Sequence, residues 1–425
     1  MTDINDIDKK RLADELPKLK DRFEAFKAEG LQLDMTRGKP CAEQLDLSMD
    51  LLECLGRDYR SESGLDCRNY GGVDGLPEAK RLFAEVLGVA ADEVIVGGNS
   101  SLNLMHDAVA RALSHGVPGG DGPWGAVEGV AFICPAPGYD RHFSVCRHFG
   151  VDMIAVPMTD AGPDMDRVEE LVAGDAKVKG IWCVPKYSNP TGVVFSDEVV
   201  DRLANMKAAA ADFRIMWDNA YAVHDLEDET VPLKNTLDAC KAAGNPDRVL
   251  MFCSTSKVSF AGAGVGAMAG SVANMDWMRQ HLSMQTIGPD KLNQLRHVRY
   301  FKDLAGIKAH MKKHAAIIGP KFEAVLRILG AELDGTGVGT WSRPKGGYFV
   351  SLDVVDGCAK AVVAKAADAG VKLTKAGATF PRGEDPNDAN IRLAPSLPPL
   401  SDVEKAMELV AVCVKLVAAE KAGIA

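Results

Sequence analysis

Several features that would assign this sequence to a protein class are missing from it. No apolar stretch approaches the ~20 residues of a membrane-spanning helix, and the ten cysteines include no C-x-x-C pair. Basic residues are in deficit, with 49 Lys and Arg against 59 Asp and Glu and a net charge of −10. This balance disfavours general binding to nucleic acid or to an anionic membrane, although a local basic pocket is compatible with it.

Compartment and metal content are also constrained by what is missing. The cysteines are scattered and several lie in apolar runs, which predicts reduced core thiols in a cytoplasmic protein. The acidic first ten residues contain no apolar segment, so we expect no signal peptide. The nine histidines show no metal-ligand spacing. His310 and His314 are four apart in a helical stretch, and we expect both at the surface with no metal site.

From residue 93 to 270, short β-rich runs alternate with helical stretches. Strands are predicted at 93–96, 130–134, 151–156, 179–184, 213–217 and 248–253. This alternation predicts an α/β fold with a mostly parallel sheet and helices on both faces. We expect a large domain over residues 61–315, and a smaller α+β domain formed by residues 1–60 and 316–425.

Short polar motifs follow three of these strands, and a fourth lies near the C-terminus. They are Ser188-Asn-Pro-Thr-Gly192, Trp217-Asp-Asn-Ala-Tyr221, Ser254-Thr-Ser-Lys257 and Asn390-Ile-Arg-Leu393. Ligands of α/β proteins bind at the carboxyl ends of parallel strands. The first three motifs are therefore expected to meet in one site.

In this order and spacing, the motifs resemble the fold-type I aminotransferases, which use pyridoxal phosphate. The resemblance covers residues 30 to 415 and is closest to the MocR-like aspartate aminotransferase branch. The strings Thr36-Arg-Gly-Lys-Pro40 and Ser254-Thr-Ser-Lys-Val-Ser-Phe-Ala-Gly-Ala-Gly264 carry that closer likeness. It implies an aspartate-aminotransferase-like fold, with a seven-stranded type of sheet, pyridoxal 5'-phosphate as cofactor, and a homodimer with shared active sites.

The resemblance also implies the roles of the central residues. Lys257 would form a Schiff base with the cofactor aldehyde and then move the substrate proton. Asp218 would keep the pyridine nitrogen protonated. Asn189 and Tyr221 would bond the phenolic oxygen of the cofactor, and Asn189 would also contact the substrate.

The phosphate would lie where the chain passes from a strand into a helix near residue 100. Backbone N–H groups at a helix start, together with hydroxyls, bind phosphate well. The residues that match the family's phosphate site are Asn99, Ser100, Ser101 and Ser254. Tyr139 would stack on the cofactor ring, and Tyr70 would reach the phosphate of the neighbouring subunit.

The substrate carboxylate has an implied partner as well. Arg392 matches the arginine that binds it through a bidentate pair. Gly38 matches the glycine of the N-terminal loop that closes over the substrate.

Two positions depart from the family pattern. The phosphate-binding arginine expected after Lys257 is replaced by Gly264 or Val265, and Lys186 and Tyr70 are alternative phosphate donors. The stretch 281–289 lacks the arginine that binds a distal carboxylate. Arg37 and Lys39, on either side of Gly38, are candidates to replace it.

Together these observations predict an enzyme that transfers the amino group of L-aspartate (or glutamate) to a 2-oxo acid such as 2-oxoglutarate. The same scaffold could serve an aromatic or aliphatic transaminase, or a lyase or decarboxylase with the same cofactor. A MocR-type ligand-sensing regulator is a further alternative. It would need a DNA-binding domain before Arg37, where the sequence has no room for one.

Overall fold

The computed structural model describes residues 7–424; residues 1–6, on which the signal-peptide expectation partly depends, lie outside this range. The helices are α1 (Lys9–Glu29), α2 (Ala42–Asp46), α3 (Pro77–Leu87), α4 (Ser101–His115), α5 (Asp140–Phe149), α6 (Met165–Gly174), α7 (Asp197–Asn205), α8 (Thr236–Ala242), α9 (Val272–Gln285), α10 (Lys291–Phe301), α11 (Leu304–Leu333), α12 (Ala359–Asp368) and α13 (Leu400–Lys421). The strands are β1 (Leu33–Asp34), β2 (Val94–Val96), β3 (Ala131–Ala136), β4 (Asp152–Thr159), β5 (Gly162–Pro163), β6 (Val178–Cys183), β7 (Arg214–Asp218), β8 (Val249–Ser254), β9 (Gly266–Gly270), β10 (Gly339–Trp341), β11 (Val350–Val354), β12 (Val371–Lys372) and β13 (Asn390–Leu393). None of these helices combines the length and apolar character that crossing a membrane requires.

The central element is an 8-stranded sheet in the order β2-β9-β8-β7-β6-β3-β4-β5. Strands β8, β7, β6, β3 and β4 are parallel, whereas β9 is antiparallel to both β2 and β8. The α/β class with a mostly parallel sheet is confirmed; the sheet has one strand more than expected because the two-residue β5 pairs with the end of β4. Since β2 and β8 are both antiparallel to β9, they run in the same direction and end at the same edge.

The small sheet β10-β11-β13 and the long helices α1, α11 and α13 enclose a second core. The N-terminal segment joins it, because Leu33 of β1 pairs with Val371 of β12. Farther along, Leu51 packs instead with Leu82 and Val258, beside the large sheet. The division at residues 60 and 315 stays a prediction.

Helix α1 is attached to this second core by apolar packing and by a buried ion network. Asp8 caps its start and Gly30, with φ of 65°, ends it. The network centres on Lys415, whose side chain is only 5% exposed and whose Nζ lies 3.0 Å from Glu15 and 2.8 Å from Glu332. Arg22 completes it at 2.9 Å from Glu332.

The expectation that His310 and His314 lie at the surface is wrong. His310 is 5% exposed and His314 is fully buried. The helical spacing was recognised, but the sequence did not show that α2 covers this face of α11. There, Gln44 lies 2.9 Å from His314 Nδ1.

Candidate active site

Asp218 ends β7 and is held by a histidine that the sequence analysis did not single out. His142 Nε2 donates to Asp218 Oδ2 at 3.0 Å, and each side chain is only 2% exposed. The His142 ring stacks on Trp182 of β6, with centroids 4.3 Å apart and planes 10° from parallel. Asp218 Oδ1 is buried and has no hydrogen-bond partner among the described residues. A buried carboxylate oxygen in this state calls for a donor, which a protonated pyridine nitrogen would provide.

Lys257 lies in the turn after β8, the strand next to β7. Burial lowers the pKa of its amine, and the charge of Asp218 opposes that shift. A lowered pKa increases the neutral fraction that a nucleophile or general base requires. The amine lies 5.0 Å from the ring centroid of Tyr221. Burial also raises the pKa of the Tyr221 hydroxyl well above its usual value, so this group stays a donor.

The start of α4 forms a cup of backbone groups between β2 and the Lys257 turn. Gly98 has φ of 71°, and the helix begins at Ser101 with Ser100 as its N-cap. Asn99, Ser100 and Ser101 thus come together at the helix start, where N–H groups are free to bind an anion. Ser254 Oγ lies 3.0 Å from Ser256 Oγ, which donates to the Asn99 carbonyl at 3.3 Å.

The backbone after Lys257 closes this cup and explains why the expected arginine is missing. A Cβ on Gly264 would lie 3.0 Å from both the Asn99 carbonyl oxygen and the Ser256 nitrogen. Val265 is 1% exposed in the core of the sheet. Neither position has room for an arginine. The chain therefore approaches the cup with backbone instead of with a cation.

The two alternative phosphate donors lie in different surroundings. Lys186 is 3% exposed, and its Nζ lies 2.9 Å from Asp225 and donates to the Ala222 carbonyl at 3.2 Å. Its charge is therefore already paired. Tyr70 is 77% exposed and is not brought to the cup of its own chain.

Arg392 of β13 forms the carboxylate-binding end of the site. It is 8% exposed, and its Nη1 donates to Asp140 at 3.0 Å and to Asn189 Oδ1 at 3.3 Å. Its guanidinium carbon lies 4.9 Å from the Phe349 ring centroid, and its Nε is buried without a partner. Asp140 therefore occupies part of the fork that a substrate carboxylate would take.

Gly38 lies directly against the ring that covers Arg392. A Cβ built on Gly38 would overlap the Phe349 ring, so only glycine fits there without displacing it. Arg37 and Lys39 flank Gly38 and are exposed.

Tyr139 is half-buried, and its ring packs edge-on against His142 at 5.0 Å between centroids.

These contacts bring most of the predicted residues together where the large sheet meets the small domain, with Tyr70 as the exception. Residues missed from sequence are His142, Trp182 and Ser256. His142 lies three residues after Tyr139, but an isolated histidine on an apolar helix face gives no signal of a carboxylate partner. Ser256 belongs to the Ser254–Lys257 motif, but the sequence does not show which of the two serines contacts Asn99.

These groups fit pyridoxal phosphate in three independent places. The partnerless Asp218 oxygen suits the ring nitrogen, the Lys257 amine suits the aldehyde, and the cup suits the phosphate. Asp218 and Lys257 follow the neighbouring strands β7 and β8, and the contacts of Ser256 with Ser254 and Asn99 join the cup to the Lys257 turn.

Comparison with known proteins identifies the family of the chain. The profile of the family described as aspartate amino-transferase matches residues 7–424. An aspartate aminotransferase of Corynebacterium glutamicum is 48% identical over 418 residues, covering 98% of this chain and 96% of the relative. The crystal structure of an aspartate transaminase from Corynebacterium glutamicum has a TM-score of 0.96 at 48% identity and covers 99% of both chains. LysN, an alpha-aminoadipate aminotransferase of Thermus thermophilus, shares the fold, with a TM-score of 0.74 at 21% identity over 95% of this chain and 98% of LysN.

Proposed function

The chain belongs to the aspartate amino-transferase family and is an aminotransferase, and from that premise we propose that it uses pyridoxal 5'-phosphate to transfer the amino group of L-aspartate (or glutamate) to a 2-oxo acid such as 2-oxoglutarate. The observation that carries the cofactor proposal is the buried Asp218 oxygen without a donor, on the strand beside Lys257. The similarity to the Corynebacterium glutamicum enzyme supports aspartate as the donor.

The cofactor, when bound, supplies an aldehyde that accepts the substrate amine and a ring that withdraws electrons from the substrate Cα. Asp218, oriented by His142, would keep the ring nitrogen protonated. Lys257 Nζ would take the proton from the substrate Cα and deliver it to the cofactor carbon that carried the aldehyde, since its lowered pKa keeps a neutral fraction available. Tyr221 and Asn189 donate toward the phenolic oxygen.

Arg392 orients the substrate through its carboxylate. The substrate carboxylate would form a bidentate pair with Arg392, for which the buried Nε without a partner is available beside the Nη1 bond to Asp140. For a dicarboxylate, the exposed Arg37 and Lys39 beside Gly38 are the proposed cations for the distal carboxylate.

Absorbance spectroscopy tests the proposal directly. We expect the purified protein with pyridoxal phosphate to show a visible band that L-aspartate alone discharges with release of oxaloacetate. Lys257→Ala should abolish this conversion, whereas Lys313→Ala, at an exposed lysine outside the site, should leave it intact. A band that aspartate leaves unchanged would refute the substrate but not the cofactor. Absence of any band would refute the cofactor.

A homodimer is the proposed assembly. Tyr70, Met284 and Ile287 are 77%, 85% and 62% exposed. Tyr70 and Ile287 lie on adjoining loops, because the Gly71 nitrogen donates to the Ile287 carbonyl at 3.2 Å, and Met284 lies in the last turn of α9 just before Ile287. Apolar side chains exposed together in this way support a partner surface, with Tyr70 reaching the partner's cup. Light scattering tests this assembly, because the Ile287→Asp variant is expected to be monomeric.

Free and mostly buried thiols support the expected cytoplasmic location.

A further inference from the structure

Gln44 is a residue of the N-terminal segment whose side-chain amide is fully buried near the turn that carries Lys257. It lies on α2, shortly after the Gly38 loop. The Cys41 backbone nitrogen donates to its Oε1 at 3.2 Å. Because a backbone N–H can only donate, this contact fixes which end of the amide is oxygen and which is nitrogen.

The orientation of Gln44 determines the direction of the bonds beyond it. Its Nε2 lies 3.0 Å from Tyr348 Oη and 2.9 Å from His314 Nδ1. An amide nitrogen has two protons and accepts none, so both contacts are donations from Gln44. The Tyr348 oxygen thus acts as an acceptor here, and its own proton is free to be donated elsewhere.

The hydroxyl proton of Tyr348 points at the peptide of Lys257. Tyr348 Oη donates to the Lys257 carbonyl at 3.4 Å, and His224 Nε2 donates to the same oxygen at 3.3 Å. Tyr348 is fully buried, and burial raises the pKa of its hydroxyl, so it keeps its proton. Side chains from two other elements therefore restrain the peptide of the reactive lysine.

The neighbour of Tyr348 connects the same segment to the other end of the site. Phe349 lies between Gly38 and Arg392. Residues 38–44 thus contact both Tyr348 and Phe349, and through them the Lys257 peptide and the Arg392 guanidinium.

We propose that Gln44 is a positioning residue for Lys257, acting through Tyr348, so that the N-terminal segment sets the position of the reactive amine. This inference rests on the proposed role of Lys257. It assigns to Tyr348 a function beyond packing of the small domain. It also gives a reason for a polar side chain at a fully buried position of α2.

Two measurements test the proposal. The first is the pH midpoint of the visible band of the cofactor-loaded protein without substrate. Gln44→Met and Tyr348→Phe should each shift it by about 0.5 pH unit, the scale of one buried hydrogen bond. The double variant should shift it no further than either single variant, because both break one path. Gln44→Glu preserves volume but offers an acceptor to Tyr348, so it should turn the hydroxyl away from Lys257 and reproduce the Tyr348→Phe shift.

The second measurement needs no cofactor. Hydrogen exchange of the amides of residues 255–260 should be faster in Gln44→Met than in the unaltered protein. Gln294→Met is the matched control, since Gln294 is 2% exposed and bridges the Leu76 nitrogen and the Val96 carbonyl. It should lower thermal stability without changing either measurement.

The results of these two measurements decide whether Gln44 positions the Lys257 turn. An unchanged pH midpoint, shifts that add fully in the double variant, or equal exchange in Gln44→Met and Gln294→Met would overturn the positioning role. If no visible band forms, the proposed cofactor fails, and the exchange measurement still decides whether Gln44 restrains the Lys257 turn.

Discussion

Replacing Lys415 by Met should destabilise the protein in a way that depends on pH. Lys415 joins α13 to Glu15 of α1 and Glu332 of α11. Burial alone would raise the pKa of Glu332, but hydrogen bonds from Arg22 and Lys415, and the charges of both, lower it from 4.5 to about 2. This difference corresponds to at most about 3 kcal/mol of stability at neutral pH, because solvent screens the charges of a partly exposed carboxylate.

The direction of the pH dependence of stability follows from the lowered pKa of Glu332. Glu332 is ionised in the folded state above pH ~2 but in the unfolded state only above ~4.5, so folding is favoured above pH 4.5. The contribution disappears as the pH falls through this window. Lys415→Met leaves Arg22 as the partner of Glu332, so we expect a loss of about 2 kcal/mol at pH 7. The difference from the unaltered protein should shrink as the pH falls from 4.5 to 3, because loss of Lys415 raises the pKa of Glu332 in the folded variant, which then takes up a proton that the unaltered folded protein binds only near pH 2.

Urea unfolding followed by circular dichroism at pH 7, 5, 4 and 3 measures this difference. Lys405 provides the control, because it also joins α13 to α1, through Glu29 at 2.8 Å, but is 38% exposed. Lys405→Met should cost no more than about 0.5 kcal/mol. Equal losses in the two variants, or a Lys415→Met loss that is constant from pH 7 to 3, would refute the reasoning.

Three further predictions concern the site. His142→Leu removes the donor to Asp218 and should lower kcat roughly 10- to 100-fold with little change in KM, and steady-state kinetics with a normal kcat would contradict this. Arg392→Lys removes the bidentate fork and should raise KM for the amino acid at least about tenfold, whereas an unchanged KM would argue against carboxylate binding there. Gly38→Ala should displace Phe349 and raise KM. The double variant Gly38→Ala, Phe349→Leu should recover part of that loss, and no recovery would show that the contact with Phe349 is not the cause.

The regular parts of the fold were predictable because their signals are local. Each of the six predicted strands begins within one residue of an observed strand, since apolar β-branched runs bounded by turns are distinct in sequence. Strand β9 was missed because its residues, Gly266–Gly270, are mostly small and carry no β propensity. A Cβ on Gly266 would lie 2.9 Å from the Ser100 carbonyl, so tertiary proximity determines its composition.

The site was predictable to the extent that motifs lie at strand ends. Asp218, Lys257 and Asn189 belong to motifs that follow predicted strands, whereas Arg392 was named from the family resemblance, and the chemical roles of all four stay predictions. The partners of these residues could not be named, because His142 and Asp218 are far apart in the sequence and their contact depends on how α5 packs on the sheet. The burial of His310 likewise depends on α2, which a helical periodicity cannot reveal.

The reversed strand β9 has a consequence for the order in which the protein assembles. Within the described sheet, β2 is an edge strand whose ladder is formed with β9 alone, by pairs such as Val94 with Ala269. The chain must therefore be synthesised through residue 270 before the strand leading into the α4 cup can dock. Contacts of such long sequence separation form late in folding. The phosphate affinity that we propose for the cup should thus be acquired only when the large sheet is complete, and an N-terminal fragment ending before β9 should lack it.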